Sequence, residues 1–184
     1  MNITLSDRHR HSGGSGDGNR INYNDLLNKP NTLFISGGEF AENNGGSSYE
    51  AYNQFGCFEF ADSASTTAAI TFQIPVSFNN LVSMKVIYYN DNNTSVLRLR
   101  FRSSRATLDE AVTEDISHSS ASFTTGAITN NIAAITVPDA AYDAIGATKV
   151  GDFIGLEINR DGGSGSDTYN NDLRVLGVLV EFSK

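Results

Sequence analysis

Three clusters in this chain have residue types and spacing that could support chemistry. His9 and His11 are two apart in Arg8-His9-Arg10-His11, so in an extended segment both imidazoles leave the same side. One such pair underfills a transition-metal shell, but three copies around a threefold axis would supply six imidazoles. The pair is therefore a candidate metal site only in a trimer, and otherwise a solvated polar arm. Arg98, Arg100 and Arg102 alternate with Leu97, Leu99 and Phe101, which places three guanidinium groups on one strand face as a candidate subunit or ligand surface. Pairing to carboxylates across a sheet is the plainer expectation for that ladder. Asp161, Asp167 and Asp172 punctuate a Gly/Ser-rich stretch and offer oxygens to Ca²⁺, but their spacing does not match an EF-hand loop. That stretch reads more simply as a hairpin loop.

Catalytic signatures are missing. The chain has no Gly-x-Ser-x-Gly elbow, no His-Glu-x-x-His, no phosphate loop and no zinc-type Cys/His spacing. The neighbouring acids Asp109/Glu110 and Glu114/Asp115 lie in a polar, loop-like stretch, so the expectation is a protein that is not an enzyme. Tyr49, Tyr52 and Tyr169 fall in loop-like sequence and are candidate glycan-contact aromatics.

The elements that must position these groups are mostly strands. Short apolar runs between Gly/Asn/Ser/Asp clusters predict strands at 32–36, 56–60, 68–74, 81–89, 96–102, 132–137, 150–160 and 173–182, with another near Phe123 and Ile128. Residues 138–145 could form a helical turn. The 173–182 run is apolar on both faces, as expected of a central strand covered on both sides. About eight strands with no amphipathic helix predict an all-β fold: a two-sheet antiparallel sandwich of jelly-roll type over residues 32–184. Residues 1–31 are expected to form an extended, flexible N-terminal arm. The segment 12–19 is built only from Gly, Ser, Asp and Asn, yet Ile21, Tyr23, Leu26 and Leu27 follow it, closed by Pro30. Sticky side chains on such an arm imply docking.

Charge narrows the partners. The 184 residues carry a net charge of −8, and four of the thirteen Lys/Arg lie in the first thirty residues. So acidic a body excludes general nucleic-acid binding, which needs clustered cations. One cysteine, Cys57, allows no intrachain disulfide and fits assembly in a reducing compartment. No secretory signal and no membrane-spanning run is visible.

The segment Arg8-His9-Arg10-His11-Ser12-Gly13-Gly14, followed by Ile21-Asn22-Tyr23-Asn24-Asp25-Leu26-Leu27-Asn28-Lys29-Pro30, resembles His-x-His … Tyr-Asn-Asp-Leu-x-Asn-Lys-Pro segments of tailed-bacteriophage fibre and spike proteins. The pattern Gly151-Asp152-Phe153-Ile154-Gly155-Leu156 … Leu176-Gly177-Val178 is similar to the last strands of jelly-roll domains in phage virion proteins. The resemblance implies a homotrimeric short fibre, spike or head-decoration protein in the virion, assembled in the host cytoplasm. It would be anchored to other virion proteins by Ile21, Tyr23, Leu26, Leu27 and Pro30, with a metal at His9 and His11 and no other cofactor. The alternative is a carbohydrate-binding β-sandwich module that recognises host surface glycans.

Overall fold

The computed structural model describes residues 31–44, 48–52, 54–76, 80–91, 94–114, 119–126, 130–142 and 148–183. His9, His11, Ile21, Tyr23, Leu26, Leu27 and Pro30 lie outside the described residues. The strands are β1 (Asn31–Ser36), β2 (Ala41–Asn44), β3 (Ser48–Tyr52), β4 (Phe55–Phe60), β5 (Ser65–Gln73), β6 (Leu81–Asn90), β7 (Val96–Ala106), β8 (Thr113–Glu114), β9 (Ser119–Thr124), β10 (Asn131–Thr136), β11 (Phe153–Asp161) and β12 (Leu173–Phe182). They form two antiparallel sheets. The first runs β10-β6-β12-β4-β3, with β1 also on β12; the second runs β2-β5-β11-β7, with β8 and β9 both on β7. From β5 onward the chain repeatedly crosses between sheets, which is the jelly-roll sandwich that the strand spacing predicts.

Alternation builds the core. Leu97, Leu99 and Phe101 of β7 are fully buried, as are Ile154, Leu156 and Ile158 of β11. Against them pack Phe58 and Phe60 of β4, Met84 and Val86 of β6, and Val178 and Val180 of β12. The strands beyond the eight expected from sequence include β2, β3 and β8, whose residues Ala41–Asn44, Ser48–Tyr52 and Thr113–Glu114 are polar and short. Such edge strands carry little apolar periodicity to read. The helical turn expected within 138–145 is a 3₁₀ turn over Asp139–Ala141.

β12 corrects one expectation. It is central, with β6 along one side and β4 and β1 on the other. However, its apolar residues on both faces do not mark double cover. Val175 pairs with Tyr88 and Gly177 with Ile87, so Leu176 is an extra residue. This bulge switches the buried set from Leu173 and Val175 to Val178, Val180 and Phe182. Leu179, on the other face, is half-buried.

Gly177 allows a close approach at the bulge. A Cβ there would collide with the Ile35 carbonyl oxygen and come within 2.7 Å of the Phe34 ring. Gly177→Ala is therefore expected to cost about 1–3 kcal/mol, the usual range for overpacking, measured as a lowered urea midpoint. An unchanged midpoint would rule out this packing.

Candidate functional site

One end of the sandwich is closed by an arginine. Arg160 ends the inward-facing series of β11, where alternation calls for an apolar residue, and its side chain is fully buried. Nη1 donates to the carbonyls of Phe60 at 3.0 Å and Asn171 at 2.7 Å. Nη2 donates to the Tyr169 carbonyl at 2.5 Å and to Asp167 Oδ1 at 3.2 Å, and Nε donates to Asp167 Oδ2 at 3.3 Å. All five N–H donors of the guanidinium are thereby used. The Asp167 carboxylate also accepts from the backbone N–H groups of Arg98 and Tyr169. One cation thus ties the end of β4 to the 162–172 connection.

That connection presents Asn170, Asn171 and Asp172 to an open cleft of about 530 Å³. Asp62, just past β4, and Asp91, just past β6, supply further carboxylates, and Asn130 faces them from before β10. Asp172 Oδ1 accepts the Asp62 N–H at 3.0 Å, which holds the two loops together. Asp91 is a hub. Its Oδ1 accepts from the Tyr169 hydroxyl at 2.5 Å and from Asn171 Nδ2 at 3.1 Å, and its Oδ2 accepts from Arg174 Nη1.

Arg174 leaves β12 on the outer face and borders the cleft. Its Nε donates to Glu59 at 2.6 Å, and its guanidinium carbon lies 3.9 Å over the Tyr52 ring. Burial pulls its pKa down, but the hydrogen bond and charge of Glu59, with the charge of Asp91, outweigh this and hold it above the ordinary value. Tyr52 also packs edge-on against Tyr89, with ring centroids 5.0 Å apart. Tyr89 in turn donates its hydroxyl to Asn130 at 3.2 Å.

The structure separates the three aromatic candidates. Tyr52 lines the cleft, with one ring face under Arg174. Tyr49 is exposed on β3, its ring beside Gly38 and Gly56, and is not among the cleft residues. Tyr169 is corrected: it is 1% exposed, covers Arg160 and serves Asp91, so it supports the loop from within. Sequence reading missed Arg160, Asp91 and Arg174. Arg160 had a visible signal, a charge in an inward register position of an otherwise apolar alternation.

The arginine ladder is largely paired. Arg100 meets Asp161 at 2.6 Å, Arg98 lies 3.5 Å from the same carboxylate, and Arg102 meets Glu157 at 3.0 Å. These are the cross-strand carboxylate pairs that the plainer expectation named, rather than a vacant cationic face. The aspartates weighed for Ca²⁺ are also committed: Asp161 to Arg98 and Arg100, Asp167 to Arg160, and Asp172 to the Asp62 N–H. Among the described residues no group of three His, Cys, Asp or Glu is placed to hold a metal ion.

No protein-family model matches the chain, and no curated protein matches it. Solved structures with similar architecture include the CBM36-1 domain of a multidomain xylanase from the hindgut metagenome of Trinervitermes trinervoides, at 10% identity over 84% of this chain and 99% of that one, with a TM-score of 0.49. Others are CBM35 from Paenibacillus barcinonensis (13%, 82% and 97%, TM-score 0.46) and the xylan-binding module CBM15 (10%, 85% and 99%, TM-score 0.46). The expectation of a trimeric phage fibre, spike or decoration protein is corrected at this point. The three solved structures named above are carbohydrate-binding modules and not virion proteins. At this identity and TM-score they assign no function by themselves.

Two outcomes test the architecture of this end. Arg160→Met strands the buried Asp167 carboxylate and is expected to cost about 3–5 kcal/mol in urea unfolding, with part recovered by adding Asp167→Asn. Burial, reinforced by the hydrogen bond to Asp91, pushes the Tyr169 hydroxyl well above its ordinary value of 10.0. A raised folded-state pKa gives stability that is complete below pH 10 and is lost as pH rises above it, because the unfolded chain ionises first. Tyr169→Phe should therefore flatten the alkaline limb of stability against pH. An alkaline limb unchanged by that substitution would contradict the burial of this hydroxyl.

Proposed function

We propose that this chain is a non-enzymatic carbohydrate-binding module whose cleft at the Arg160 end takes a neutral glycan. The observation that carries this reading is the chemistry of the cleft. Its volume of about 530 Å³ suits a small-molecule site, but its lining is polar, unlike the mainly apolar walls of most such pockets. Asn130, Asn170 and Asn171 offer amide donors and acceptors, while Asp62 and Asp172 offer acceptors. Sugar hydroxyls both donate and accept, and so match this mixture. Tyr52, with one ring face under Arg174 and a T-shaped contact to Tyr89, adds a fixed aromatic border.

The charge balance favours neutral sugars over uronates or phosphorylated glycans. The cation at the cleft, Arg174, is already bound to Glu59 and Asp91. Asp62 and Asp172 add negative charge beside it, and the chain carries −8 overall. An anionic ligand would meet repulsion, and among the described residues lining the cleft no unpaired guanidinium offsets it.

Binding of the full-length protein to a panel of neutral and acidic polysaccharides tests the reading, by affinity electrophoresis followed by calorimetry. The expected result is binding to a neutral glycan without hydrolysis. Asn170→Ala with Asp62→Asn should then weaken affinity about tenfold, roughly 1.4 kcal/mol, with the fold intact. Binding confined to acidic glycans, or insensitive to both substitutions, would refute this site.

A further inference from the structure

We propose that the free edge of β10 is a pairing surface, and that it takes β10 of a second copy of this chain, antiparallel, about a two-fold axis at Ala134. β10 ends the first sheet, with β6 along one side. One bond fixes which way its backbone groups point. Val137, just past the strand, donates its N–H to the Met84 carbonyl at 2.9 Å. Backbone groups alternate sides along a strand. Asn131, Ala133 and Ile135 therefore also turn theirs toward β6, opposite Asn90, Tyr88 and Val86. Ile132, Ala134 and Thr136 turn their N–H and C=O groups away from the sheet. Their side chains are exposed, Ile132 at 53%. Among the described residues no strand pairs with this edge.

Its sequence sets this edge apart from the others. Free edges are normally guarded by charge, proline or brevity. β2, β3 and β8 carry Glu42, Glu50 and Glu114, so two copies meeting through any of them would set like charges close together. β9 reads Ser-Ser-Ala-Ser-Phe-Thr and is hydrophilic. In β1 the ring of Phe34 leans away from the free edge, over Gly177 of β12. β10 reads Asn-Ile-Ala-Ala-Ile-Thr, with no charge and no proline. It is also its own antiparallel complement. With Ala134 opposite Ala134 of the partner subunit, Ile132 lies opposite Thr136 of the partner subunit, and the outward N–H and C=O groups of all three residues are matched. Small side chains meet at the axis, and the flanking pairs are β-branched, a combination that suits neighbouring strands. The cation beside Thr136, Lys85, is held by Glu181. A net charge of −8 keeps copies of the chain apart elsewhere, so an uncharged edge selects the point of contact. Such an isologous contact closes at two copies, and it does not depend on what the cleft binds.

Light scattering of the full chain after size exclusion, over a range of concentrations, tests it. The expected result is a mass that rises with concentration to twice that of one chain. Ala134→Pro removes an N–H that the sheet does not use, a position where an edge strand tolerates proline, and is expected to leave a folded monomer. Ala134→Lys and Ala134→Glu each put like charges at the axis. Either alone is expected to weaken self-association about tenfold or more, and mixing the two is expected to restore the dimer. A variant that merely failed to fold would not be rescued by mixing. Ala134→Cys sets two thiols across a hydrogen-bonded pair with Cα atoms about 5.5 Å apart, within disulfide reach. It is expected to give an interchain crosslink under mild oxidation, while Cys57 stays buried. A monomeric mass at every concentration would overturn the proposal. So would a dimer that the changes at position 134 leave intact, which would place the contact at another edge.

Discussion

The buried guanidinium of Arg160 is the constraint on which the functional end of this molecule depends. Ionic groups are costly to remove from water, and this one is tolerable because every donor has an acceptor. Three of those acceptors are backbone carbonyls: Phe60 at the end of β4, which pairs with Leu173, and Tyr169 and Asn171 in the 162–172 connection just before that pair. The fourth partner, Asp167, accepts an N–H from β7 as well as from its own loop. A stretch rich in Gly and Ser is therefore fixed from below by these hydrogen bonds together with the one ring it buries, Tyr169. Asn170, Asn171 and Asp172 are presented to the cleft as a consequence.

Asp91 extends the same logic one layer outward. It links the Tyr169 hydroxyl beneath the cleft to Arg174 at its border, and Arg174 then orients Tyr52. The chain of contacts runs from the core to the cleft as Arg160, Tyr169, Asp91, Arg174 and Tyr52, with two neutral rings interleaved among the charges. Asp91 and Arg174 each keep a second partner, so a change at one is passed to the next through shared groups rather than by stranding a charge.

The sandwich itself was legible because alternation is a strong signal. Leu97, Leu99 and Phe101 announced the core face of β7, and the bounds of β12 are the 173–182 run itself. Three things were hidden, each for a physical reason. The polar strands β2 and β3 lie where little of the core side is covered, so their sequences carry no period. The bulge at Leu176–Gly177 merges two alternations of opposite phase, and the result reads as a strand apolar on both faces. The cleft is assembled from loops that are far apart in sequence; Asp62 and Asp172 meet where the β4–β12 ladder ends at Phe60 and Leu173, a long-range pairing that no local pattern encodes. Tyr169 misled because its neighbours are all turn formers, although its ring is the lid on Arg160.

Why a cation occupies a position that leucine could fill is a question about geometry rather than stability. Buried ion pairs exchanged for well-packed apolar residues commonly leave stability unchanged or raise it. An apolar side chain at position 160 could close the core, but it would offer no direction to the loop above it. A guanidinium fixes five directions in one plane, and here they point at a carboxylate and three carbonyls, one of them that of the cleft-lining Asn171. Polar recognition needs donors and acceptors placed to within a fraction of an ångström, and loops alone hold them poorly. In this sandwich the strands supply a rigid frame, and one buried arginine transmits that rigidity to the connection that carries the amides.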